Sequence, residues 1–87
     1  MSRNEKLLSR LLSVPKDFTW DELISLLAYY DYKKIKSGKT GGSRRKFADA
    51  KKNIISLHEP HPSNVMKGYA IRDVIEYLKT HGHIKDE

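Results

Sequence analysis

The chain has 87 residues, 17 Lys and Arg against 11 Asp and Glu, a net charge of +6 and no cysteine. That length accommodates one small domain, and the lack of cysteine excludes a disulfide framework and a thiolate zinc site, as expected of a reducing compartment. Met1-Ser2-Arg3-Asn4-Glu5-Lys6 leads into scattered leucines rather than the apolar run of a signal peptide or membrane span, so a cytoplasmic protein with no membrane partner is expected.

In chain order, Leu7, Leu8, Leu11 and Leu12 recur at helical spacing and predict a helix over residues 4–13. It is too short to stand alone and has to dock on another surface, for which the body of the domain is available. Residues 14–18 break the pattern. Thr19, with Glu22 three residues later, forms a capping-box signature for a second helix from about Trp20 to Tyr30, whose buried stripe is Leu23, Ile24 and Leu27. Three short strands follow, at about 32–37, 43–48 and 53–58, separated by a glycine-rich loop and by Asp49-Ala50-Lys51-Lys52, a turn of hairpin length. His58-Glu59-Pro60-His61-Pro62 ends the third strand, because each proline removes a ladder donor. Ile71, Val74, Ile75 and Leu78 then mark an amphipathic helix from about 68 to 81 that Gly82 closes.

The fold class is therefore α+β: an α-β-β-β-α unit with a three-stranded antiparallel sheet and both main helices on one face, preceded by a short extra helix. The expected organisation is a leading helix and connector over residues 1–17, a main domain over 18–84 and a tail over 85–87. Strand alternation assigns the two faces. With Ile55 and Leu57 inward on the third strand, Ser56 and His58 look out. With Phe47 inward on the second, Arg44 and Lys46 look out. With Ile35 inward on the first, Lys34 and Lys36 look out.

The loop 37-SGKTGGSRRKF-47 contains a Gly-Lys-Thr typical of nucleotide-binding loops, but such a loop needs an earlier glycine at the position held here by Lys33. It also needs a buried apolar strand before it and a long helix after it, and neither flank fits. A glycine-rich hairpin between basic strands fits better. Lys33, Lys34, Lys36, Lys39, Arg44, Arg45, Lys46, Lys51 and Lys52 crowd into this region with Asp49 as the only acid among them. Such a patch steers and holds phosphate backbones, although a solvated lysine face has the same composition.

Among the histidines, His58 is placed by alternation on the open face with Arg44, and His61 lies three residues on. His58, Glu59 and His61 also invite a metal reading, but no third ligand stands at a standard spacing and no cofactor is expected. His81 and His83 flank Gly82 at a helix end, where imidazoles cap carbonyls, and are read as structural. Tyr29, Tyr30 and Tyr32 suit base stacking, but at a helix end they more often bury their rings and leave the hydroxyls wet. Trp20 is read as a packing residue, and Lys67 as a phosphate contact at the start of the last helix.

The helix Trp20-Asp21-Glu22-Leu23-Ile24-Ser25-Leu26-Leu27, the basic strand, the Gly42-Ser43 turn, the aromatic Phe47, the His- and Pro-rich strand exit and the closing helix opened by Lys67-Gly68 together resemble the HicA toxins. The resemblance covers roughly residues 18–82. It implies a fold like that of double-stranded RNA-binding domains, cleavage of mRNA as the activity, and neutralisation by a HicB-type antitoxin. The family's signature at the start of the second strand is Gly-Ser-His, where this chain has Gly42-Ser43-Arg44.

Metal-free RNA cleavage needs a base for the ribose 2′-OH, an acid for the leaving 5′-oxygen, and cations for the charge that builds on phosphorus. Arginine stays protonated and holds phosphate but cannot shuttle protons. The catalytic pair is therefore read as Arg44 for charge and His58 for proton transfer, and the RNA-binding set as Lys34, Lys36, Lys39, Ser43, Arg45, Lys46 and Lys67. Two rival readings stay open: an RNA-binding module that has lost catalysis, and a protein-interaction domain that uses the same basic face.

Overall fold

The computed structural model describes residues 3–35, 44–60 and 62–84. Helix α1 spans Arg3–Leu12 and α2 spans Trp20–Tyr29; strands β1 Lys33–Ile35, β2 Arg44–Ala48 and β3 Ile54–His58 follow, and α3 Gly68–Thr80 closes the fold. The sheet runs in the order β1-β2-β3 with both pairings antiparallel. The expected α-β-β-β-α arrangement with a leading helix is the one found. No helix among the described residues is long and apolar enough to cross a membrane.

Helix α1 docks on the domain body as its spacing requires. Leu7 and Leu11, one turn apart, are buried with Phe18, Leu23, Ile71 and Leu78 in one core. The exposed side of α1 is tied down by Arg10, whose guanidinium meets Glu22 at 3.1 Å and Asp17 at 3.2 Å and lies over the Phe18 ring. Helix α1 packs against α2, which buries Trp20, Leu23, Leu26 and Leu27, a wider stripe than the expected one, while Ile24 stays half-buried.

Both main helices are bounded by the local chemistry their sequences carry. At the start of α2 the Thr19 hydroxyl accepts from the Glu22 N–H and the Glu22 carboxylate accepts from the Thr19 N–H, forming the capping box. At its end Asp31 takes a left-handed conformation, φ 66°, and the Tyr32 N–H reaches back to Leu27 O. Helix α3 ends the same way, with Gly82 at φ 79° and the His83 N–H on Leu78 O. A Cβ at Gly82 would meet nothing within 4 Å, so only the backbone conformation opposes a side chain there. Gly82→Ala should therefore cost about 1 kcal/mol in chemical denaturation, and Asp31→Gly should shift stability the other way by less.

The segment between β3 and α3 is pinned to the entry of α2. Met66 is buried and its N–H donates to Phe18 O at 2.7 Å; the Trp20 N–H donates to Asn64 O at 2.7 Å, and Thr19 and Val65 form an antiparallel bridge. These contacts fix the chain leading into α3 against the entry of α2.

Register assigns the faces, since residues directly opposite in a sheet share one. Phe47 opposes Ile55 and Arg45 opposes Leu57; Phe47, Ile55 and Leu57 are buried toward the helices, with the Trp20 and Phe47 rings 6.0 Å apart. Arg44 opposes His58, Lys46 opposes Ser56 and Ala48 opposes Ile54 on the open side, as alternation predicts.

Strand β1 departs from that expectation. Lys34 opposes Phe47 and so belongs to the helix side, while Lys33 and Ile35, opposite Ala48 and Lys46, belong to the open side. The reason is Tyr32. Only 3% exposed, it anchors the strand entrance in the core, and alternation from Tyr32 carries Lys34 inward. Ile35, taken as the inward residue, buries less and yields to the larger ring.

Candidate nucleic-acid interface

Four of the open-face groups come from the paired strands β2 and β3. Arg44 starts β2 directly opposite His58, and its Nη1 donates to Ser56 Oγ at 2.9 Å, two residues back along β3. Lys46 stands opposite Ser56, so two cations, a hydroxyl and an imidazole occupy adjacent positions of one ladder. Arg44, Lys46 and His58 are exposed. Lys33 adds a third cation on the same face at the β1 edge.

Lys67 joins them from another direction. It is the N-cap of α3 and exposed, no side chain caps the helix there, and the first turn holds no acid. Lys67 and His58 line one groove of about 530 Å³ between the exit of β3 and the first turn of α3. His58 thus belongs to both features: the cationic sheet face on one side and this groove on the other.

Two of the expected RNA contacts lie elsewhere. Lys34 and Arg45 sit on the helix side of the sheet, where both line a small cleft of about 240 Å³ with Trp20, Ile24 and Ala28. Arg45 is engaged with Glu59 at 3.1 Å and donates to the Arg44 carbonyl at 3.2 Å, bracing the backbone that carries the neighbouring arginine. The expected contacts Lys36, Lys39 and Ser43, and the second histidine His61, lie outside the described residues. Among those described, no group of three or more His, Asp or Glu is placed to hold a metal ion.

His81 and His83 are structural, but through partners other than the helix carbonyls. His81 Nδ1 is 2.6 Å from the Tyr32 hydroxyl, and His83 Nε2 is 2.9 Å from Asp49 Oδ2. The Tyr30 and Tyr32 rings pack on His83 at 5.2 and 5.1 Å. Burial, with the Asp49 charge adding to it, pushes the Tyr32 hydroxyl well above its ordinary range, so the phenol keeps its proton. Of the three tyrosines considered for stacking, Tyr32 is thus committed to the core, Tyr30 is half-buried and Tyr29 is half-exposed beside it.

Asp49 is the acid inside the basic region, and its side chain organises the β2–β3 turn. Burial works to raise its pKa, but hydrogen bonds from the Asn53 side chain and N–H, from His83 and from the Lys51 N–H outweigh that and hold it at about 2. Reading the sequence as a turn missed this role. It also missed Lys33, for which Tyr32 was the available signal, and the exposed Tyr69 on the groove wall.

Comparison of the chain with protein-family models, with curated proteins and with solved structures finds no match in any of the three.

Proposed function

We propose that the chain is a HicA-like toxin that binds mRNA and cleaves it without a metal cofactor, and that a HicB-type antitoxin neutralises it by covering the open face. The observation that carries this reading is the cross-strand pair Arg44 and His58, set on one exposed face with Lys46 and Ser56 and continued by Lys67. The α-β-β-β-α order, shared with double-stranded RNA-binding domains, and the resemblance over residues 18–82 support it further. In this scheme Arg44, Lys46, Lys33 and Lys67 hold phosphate oxygens and offset the added charge of the five-coordinate phosphorus. His58 takes the proton of the 2′-OH as that oxygen attacks phosphorus, and returns a proton to the 5′-oxygen as its bond to phosphorus breaks. The products are a 2′,3′-cyclic phosphate and a free 5′-hydroxyl, with no net change in protons.

The test is incubation of the purified chain with labelled single-stranded RNA in excess EDTA. Cutting that leaves cyclic phosphate ends is the expected result. RNA bound but left whole would identify a binding module on this fold, consistent with Arg44 at the family's histidine position. Failure to bind at low salt would favour the protein-interaction reading.

The face assignment makes a separate prediction about binding. Lys33→Ala should weaken RNA binding and lower the salt slope of log K by about 0.7, the value for one phosphate contact on a single strand. Lys34→Ala, on the helix side, should leave the slope unchanged in the same salt titration.

A further inference from the structure

We propose that the groove between His58 and the first turn of α3 receives one unpaired nucleobase, so that the substrate is single-stranded RNA with a base turned out beside the phosphate to be cut. This rests on the RNA-cleaving reading and names the substrate class of that site.

The groove has the size and lining for a partly apolar ligand. Its volume of about 530 Å³ falls within the roughly 300–1,000 Å³ of small-molecule sites. Pro60, Pro62, Val65 and Tyr69 supply apolar and aromatic wall, while His58 and Lys67 supply the polar groups. Tyr69 is 60% exposed and Val65 36% exposed, so both present apolar surface to an incoming ligand. The Val65 side of the wall is held in place before any ligand arrives, because the Met66 and Trp20 N–H bonds and the Thr19–Val65 bridge fasten residues 64–66 to the start of α2.

Charge and connectivity select a nucleotide. The groove opens beside the open-face cations, and His58 is the residue common to both. A strand that places a phosphate at Arg44 therefore runs past the groove in which Tyr69 stands exposed, and exposed aromatic rings are the usual platform for unpaired bases. A duplex cannot use the groove, since its bases stay paired and stacked and only phosphates and groove edges face outward. The cationic face alone would hold single strands and duplexes by their backbones; the groove discriminates between them.

The test uses RNA oligonucleotides 2′-O-methylated throughout, so that binding is read without cleavage, each carrying 2-aminopurine at one position and presented as a single strand or annealed duplex. At equal salt the single strand should bind about tenfold or more tighter, with 2-aminopurine fluorescence changing at one position only. Tyr69→Ala should remove about that factor for the single strand and leave duplex affinity unchanged, and Tyr69→Phe should restore it; circular dichroism checks that the variants fold. Equal affinity for the two forms, or single-strand affinity unmoved by Tyr69→Ala, overturns the base site even if unmodified RNA is still cut. Tyr69-dependent single-strand binding by a chain that leaves unmodified RNA whole keeps the base site and overturns the nuclease reading instead.

Discussion

His58→Ala is expected to slow RNA cleavage by roughly 100- to 10,000-fold, the range for loss of one positioned acid–base group, while RNA affinity changes only a few-fold. The reason is the division of labour on the open face. In the proposed function Arg44 and Lys46 attract phosphate, and Arg44 is steadied by its bond to Ser56. A guanidinium cannot take the 2′-OH proton, and a serine hydroxyl is too weak a base to replace an imidazole. Single-turnover cleavage beside a binding titration separates the two losses: Arg44→Ala should reduce both affinity and rate, His58→Ala the rate alone. Because positions 44 and 58 are direct cross-strand partners, Arg44→His in the His58→Ala background should place an imidazole at the adjoining ladder position and cut faster than the Arg44→Ala, His58→Ala double variant. Cleavage undiminished by His58→Ala would remove this residue from the mechanism.

How much of this was legible in the sequence follows from how local each signal is. The capping box of Thr19 and Glu22, the Leu7 and Leu11 repeat and the Gly82 stop each depend on residues a turn apart, and the structure has all three. The open-face positions of Arg44, Lys46, Ser56 and His58 were readable because β2 and β3 each contain buried apolar residues that fix the alternation. Strand β1 has three residues and a single aliphatic one, so its phase hung on Ile35, and the stronger anchor, Tyr32, precedes the strand itself. The bonds from His83 to Asp49 and from Tyr32 to His81 join residues 34 and 49 positions apart. No local pattern announces such pairs. Leu26 was missed because helical spacing gives the direction of a buried stripe but not its width, which tertiary packing sets.

Asp49→Ala is expected to lower the melting temperature at neutral pH by more than Gly82→Ala does, and to flatten the acid limb of the stability profile. The Asp49 side chain is only 3% exposed and accepts from Lys51, from Asn53 twice and from His83. Alanine would leave those donors facing one another around an empty corner, and buried donors without acceptors are costly. The sign of the pH effect follows from its folded pKa of about 2, below the value of about 3.9 in an unfolded chain. The stabilisation is fully present above about pH 4 and is lost as the pH falls toward 2, because protonation removes the charge those donors share. Melting curves followed from pH 7 to pH 2 should show this fall in the wild type and little of it in the variant. The effect should extend to the site, since Asp49 sets the turn from which β2 and β3 run to Arg44 and His58. A one-residue slip there would turn His58 to the opposite face, so a folded Asp49 variant should lose cleavage more steeply than it loses secondary structure.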